Sequence, residues 1–264
     1  MTMSSTIGSG DEVSRAREHL CDVLCAADPS DGLWHAVRSG WAAHYVPEVP
    51  ALALEQDPVH RHKDVLGHTI IVTANVAPRL RIRLAALFHD IAKPATRRIT
   101  DRGVTFHHHE AAGARITARR LAALGFDQAL TLEVARLVEL SGRFHGYRSG
   151  WSDAAVRRYA RDAGPLLGDL NELVRCDCTT RRPEKVQGLQ QQVDDLERRI
   201  RMLASADEAR RRSPLLDGRE IMSILDIGPG PKVGEALALL SEAHRTDPLI
   251  DRDGCVALLR RWWL

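Results

Sequence analysis

Residues 84–94, LAALFHDIAKP, read as the buried stripe of a helix until the apolar run stops on His89 and Asp90. An imidazole and a carboxylate are costly to bury unless they are paired or ligated. A fold that hides this helix must therefore give the pair a partner. Helical spacing dominates the rest of the chain as well. Apolar positions recur through Val13, Ala16, Leu20, Val23 and Leu24, and again over about 33–44, 64–78, 80–91, 109–124, 127–141, 153–162 and 166–178. From 184 to 204, Val186, Leu189, Val193, Leu196, Ile200 and Leu203 fall three or four apart among charged residues, one long amphipathic helix. No run of alternating β-branched residues argues for a sheet. The expected class is all-α, a helical bundle with a C-terminal helical extension.

Punctuation divides the chain. Residues 1–10 form a small polar tail, 11–58 an N-terminal helical segment packed on the core, 59–183 the bundle that holds the chemistry, and 184–264 the extension. VPEVP at 46–50 is an extended link, because proline fixes its own φ and restricts its predecessor. GPGP at 228–231 is a turn between helices and no P-loop, since the G-x-x-x-x-G-K-[ST] order is absent.

The net charge of +2 comes from 37 basic and 35 acidic residues. Whole-chain charge thus gives no argument for nucleic acid or membrane, and any basic footprint is local. The five cysteines are odd in number and form no CxxC pair, which fits a reducing cytoplasm better than a disulfide framework or zinc ribbon. The N-terminus has no secretory pattern, and no stretch reaches a membrane span of roughly 18 apolar residues.

A His–Asp pair at a helix end has a plain structural use in capping. Its company points further. His68 lies in an upstream helical stretch, His109 opens a downstream one, and Asp177 sits in a later one. A helical bundle aims such side chains at one interior point, and nitrogen with carboxylate ligands suits a divalent transition metal such as Mn, Fe, Co, Ni or Zn, with Mg also admissible.

The order H…HD…D resembles the HD superfamily of metal-dependent phosphohydrolases, on His68, His89 with Asp90, and Asp177. Longer stretches are similar to the HD-containing body of bacterial CCA-adding tRNA nucleotidyltransferases: HRHKDVLGHTIIV, LAALFHDIAKPATR, VTFHHHEAAGARITARRL, RFHGY, AVRRYARDAGPLLGDL, CDCTTRRPEKV and LDGREIMSILDIGPGPKVGEAL. That similarity runs from about residue 11 to the C-terminus. In that family the polymerase site lies in a head N-terminal to this body, marked by a GG-x-x-RD-like loop and a DxD pair. The ten-residue tail holds neither, so CCA addition by this chain alone is not expected.

The resemblance implies that His68, His89, Asp90 and Asp177 hold the ion, that Asp90 is thereby catalytic, and that Lys93, at the HD-x-x-K position, places a cation by the substrate phosphate. His109 stands four residues before Gly113 in an H-x-x-x-G pattern that related binuclear proteins use, which makes it a further ligand and Glu110 its orienting acceptor. Ser141 departs from the family, which has a histidine at that position, and a six-ligand, two-metal centre is put in doubt. Near it, His145 is left to compensate, contact substrate or shuttle protons, and Arg143 is either a phosphate fork or a surface ion pair. Arg97, Arg98, Arg181 and Arg182 are candidates for a basic mouth.

The expected function is phosphate removal from a small nucleotide-like phosphomonoester or a cyclic nucleotide. Two other readings stay open: an RNA-binding body with a vestigial metal, and an HD-fold di-iron oxygenase, against which Ser141 counts.

Overall fold

The structure, a computed structural model, describes residues 9–54, 64–100, 103–180, 182–212, 215–247 and 249–264. The chain divides into two compact units, Met1–Glu197 and Arg198–Leu264.

The first unit begins with α1 (Gly10–Cys25), α2 (Ser30–Arg38) and α3 (Trp41–Tyr45). The periodicity over 33–44 reads as one helix, but the structure breaks it between α2 and α3. Gly40 there takes φ 82°, a left-handed conformation that glycine adopts without a Cβ clash. Next come α4 (Val65–Asn75) and α5 (Leu80–Phe88). Asp64 starts α4 by accepting from the Leu66 and Gly67 amides, which sets the rotation of His68 one turn in. Every residue of α5 from Ile82 to Phe88 is buried, so it is the central helix, and α1, α4, α8 and α10 pack around it.

Beyond His89 and Asp90, the short α6 (Lys93–Thr96) leads into strands β1 (Arg98–Thr100) and β2 (Gly103–Thr105), paired antiparallel with Arg98 opposite Thr105. This hairpin is an addition to the all-α reading. Strands of three residues are too short to show a period of two in the sequence. Helices α7 (His109–Ala123) and α8 (Gln128–Leu140) then form an antiparallel pair. They approach closely at Gly113, where a Cβ would stand 3.1 Å from Val138 Cγ1. A 3-10 segment over Ser141–Ser149, α9 (Asp153–Ala163), α10 (Leu167–Cys176) and α11 (Pro183–Arg212) follow.

Helices α5 and α10 lie side by side in the same direction, clamped at their N-terminal ends. Arg81 Nε is 2.6 Å from Asp169 Oδ2, and Arg79 reaches Asp169 Oδ1 at 2.8 Å and Glu172 Oε2 at 2.6 Å. Arg81 and Asp169 precede His89 and Asp177 by the same number of positions, about two helical turns. The clamp therefore brings the two helix ends level.

In the second unit, a capping box of Asp217 and Glu220 starts α12 (Gly218–Leu225). The GPGP turn leads to α13 (Pro231–Thr246), followed by α14 (Arg252–Trp263). Leu216, Ile221, Leu225, Ala236, Leu240, Cys255 and Leu259 form its buried core. No helix among the described residues is long and apolar enough to cross a membrane.

Candidate metal centre

His89 and Asp177 are the first residues beyond α5 and α10, so two helix C-termini point their carbonyl ends at one place, a favourable setting for positive charge. His68 enters from α4. Its Nε2 is 3.0 Å from Asp177 Oδ1 and 3.3 Å from His89 Nε2, and His89 Nε2 is 3.4 Å from Asp177 Oδ1. Among the described residues, His68, His89 and Asp177 are the group whose donor atoms lie close enough to hold a metal ion, all within 4.8 Å of one another.

Asp90 closes the cluster from the other side, its Oδ2 3.3 Å from His89 Nε2 and 3.7 Å from His68 Nε2. Donors around a single ion at about 2.1 Å stand roughly 3.0–3.5 Å apart, close to this spacing. The ring protons agree with the donor set. His89 Nδ1 lies 2.7 Å from the Ala86 carbonyl, which fixes its proton there and leaves Nε2 free for a cation. Nitrogen and carboxylate donors with two nearly buried groups, His89 and Asp90, fit a divalent ion.

The charges make the same demand. Burial pushes the His89 pKa down, but the charges of Asp90 and Asp177 outweigh it and carry it up to about 10. Burial pushes Asp177 up, and its bonds to His68 and His89 reverse this, holding the carboxyl well below the usual range. Two carboxylates thus call for a positive charge at the centre, and a proton on His89 supplies it when no ion is bound.

Lys93 is not free beside the cluster. Its Nζ bonds Asp90 Oδ2 at 2.7 Å and lies 5.6 Å from the centroid of the Phe106 ring. His109 sits behind Asp90, with Nε2 3.5 Å from Asp90 Oδ1 and Nδ1 2.8 Å from the Phe106 carbonyl. Glu110 Oε2 is 3.4 Å from His109 Nδ1. An open recess of about 460 Å³ adjoins this side, lined by Lys93, Val104 to Phe106, the histidine triplet 107–109 and Glu110.

The other candidates fare differently. Ser141 turns its hydroxyl to the Val138 carbonyl in its own helix turn, 2.9 Å away. Arg143 pairs with Asp162 of α9, the surface ion pair that the sequence left as its alternative role. His145 is exposed, its Nδ1 2.9 Å from the Gly142 carbonyl. Arg97 holds a buried Nε without a hydrogen-bond partner, and Arg98 and Arg182 are exposed. Arg181 lies outside the described residues. Sequence reasoning missed Thr179, whose Oγ1 is 2.9 Å from His68 Nδ1, and Phe106, which faces Lys93. Neither carries a local signal beyond its place two residues after Asp177 or just before the triplet.

The sequence model of the HD domain family matches residues 65–209. The chain is 30% identical over 256 residues to an A-adding tRNA nucleotidyltransferase of Deinococcus radiodurans, a match covering 94% of this chain and 58% of the relative. It is 32% identical over 257 residues to a CC-adding tRNA nucleotidyltransferase of Thermus thermophilus, covering 94% of this chain and 56% of the relative. The chain spans somewhat over half the length of these relatives.

Proposed function

The chain belongs to the HD domain family, and on that footing we propose that it is a metal-dependent phosphohydrolase that releases phosphate from a nucleotide-like phosphomonoester or opens a cyclic nucleotide. The observation that carries this reading is the convergence of His68, His89, Asp90 and Asp177 beside Lys93 at the edge of an open recess. These four residues hold the ion, a divalent transition metal or Mg. When bound, such an ion lowers the pKa of water from about 15.7 toward 7 and polarises a phosphoryl oxygen.

The protein's own residues do the rest. Lys93, steadied by Asp90 and Phe106, offsets the phosphate charge as a water oxygen bonds to phosphorus and the ester oxygen departs with a proton. His109, held by the Phe106 carbonyl, faces the recess side of Asp90 and stands ready as a further ligand or substrate contact. Arg97, with its unpartnered Nε, is the nearest of the arginine candidates in sequence to the Lys93 turn. His145 and Arg143 lie on the 3-10 segment, where Arg143 is held by Asp162 and His145 by the Gly142 carbonyl, and neither has a part in this reading. The free cysteines suit work in a reducing cytoplasm. Phosphate release from nucleoside monophosphates, deoxynucleotides and cyclic nucleotides, measured with each of several divalent metals, tests the reading. Metal-dependent release is expected, and none with any metal contradicts it.

A second reading, an RNA-binding body, has the relatives' activities in its favour, since both act on tRNA. Its signature is RNA affinity that falls steeply with salt and survives Asp90→Ala.

A further inference from the structure

Three of the candidate histidines settle their own ring protons. The Nδ1 atoms of His89, His109 and His145 each lie 2.7–2.9 Å from the backbone carbonyl three residues earlier, that of Ala86, Phe106 and Gly142. Folding of the local turn therefore suffices to hold each ring. His68, inside α4, differs in where its ring turns. Its Nδ1 finds a partner in Thr179 Oγ1, 2.9 Å away and far along the chain.

Thr179 follows Asp177 by two residues, and Asp177 Oδ1 faces the opposite nitrogen of the same ring at 3.0 Å. One turn after α10 thus grips both edges of the His68 imidazole.

We propose that Thr179 is a positioning residue for the metal centre: its hydroxyl accepts the Nδ1 proton of His68 and so leaves Nε2 unprotonated and aimed at the ion. A hydroxyl suits the task better than a carbonyl, because it both donates and accepts. With no ion bound, Nε2–H donates to Asp177 and the hydroxyl donates to Nδ1. With an ion bound, the proton sits on Nδ1 and the hydroxyl accepts. The ligand and the residue that orients its neighbour travel on one loop, so His68 becomes a competent ligand only when that loop is seated. This inference rests on the metal centre read above.

The test is the dissociation constant for Mn²⁺ alone, measured calorimetrically on the full chain without substrate. Thr179→Val keeps the shape and removes the hydroxyl; it should weaken binding roughly 10- to 100-fold, while Thr179→Ser stays near the parent value. The metal-free Val variant should still unfold cooperatively, with its midpoint lowered only slightly by the one lost hydrogen bond, which separates positioning from failure to fold. In the Zn²⁺-loaded parent, ¹⁵N NMR of His68 should show the proton on Nδ1. Unchanged Mn²⁺ affinity in Thr179→Val, or equal loss in Thr179→Ser, overturns the role of Thr179 if His68→Ala has lost the ion. Retention of Mn²⁺ by His68→Ala overturns the centre itself and the inference with it.

Discussion

At His89, two carboxylates decide the proton against burial, and this sets how the site answers to pH. The pKa of about 10 lies above the unfolded value near 6.5. In the metal-free protein, this histidine therefore contributes stability that is full below about 6.5 and is lost as pH rises toward 10. Asp90 and Asp177 shift the other way: they contribute above about 4, and the contribution is lost as pH falls through their lowered values. Thermal unfolding of the metal-free chain should accordingly drop as pH rises from 6.5 to 10, while the metal-loaded chain resists the change. An ion must also displace the His89 proton, so the apparent affinity for Mn²⁺ should rise about tenfold per unit between pH 6 and 8, with proton release visible in buffers of different ionisation enthalpy. Affinity independent of pH would show that His89 does not carry the proton. At Lys93, replacement by Ala should lower turnover roughly 10²-fold with metal content preserved, because the ammonium acts on phosphate charge. Loss of the ion in that variant would reassign Lys93 to holding Asp90 in place.

Helices α5 and α10 act as a matched pair, with ion pairs at one end and the site at the other. Asp169 is nearly buried and serves both Arg79 and Arg81. Both arginines are partly exposed and have other acidic partners in Glu172 and Glu133, so Asp169→Ala should cost about 1–3 kcal/mol rather than the full penalty of an orphaned buried charge. Urea unfolding measures this. Metal affinity should fall in the same variant as the helix ends lose their common level; stability loss without any change in affinity would show that the clamp does not set the site. Gly113 is the close-packing point of α7 on α8; in Gly113→Ala the cost of pushing Val138 aside is partly offset by alanine's better helix propensity, and a net loss of about 1 kcal/mol is expected in urea unfolding. Helix identities and the abrupt end of the apolar run at His89 are legible in the sequence, because periodicity is a property of single elements. The clamp is not, since nothing local to RLRIR or GDLNEL says that they face each other. The hairpin after α6 and the break at Gly40 escape for the same reason: each spans too few residues to carry a period.

Across the whole molecule, three elements from distant parts of the chain, α4, α5 and α10, deliver one cluster, and here the sequence is readable only in part. His89 and Asp90 announce themselves by their burial. His68 and Asp177 become candidates through their places on separate helices and the family spacing, and the pairing of Lys93 with Asp90, the ion pair of Arg143 and the hydroxyl of Thr179 emerge only once the chain is folded. The relatives' activities and the family's chemistry also pull apart: one side suggests RNA, the other hydrolysis. The two differ in what the metal is for. Phosphate release from a panel of nucleoside monophosphates and cyclic nucleotides, compared between the metal-loaded parent chain and His89→Ala, separates them most directly. Metal-dependent release by the parent is expected, with loss of both release and bound metal in a His89→Ala chain whose circular dichroism remains helical; equal release by the two chains would contradict a hydrolytic metal centre at His89.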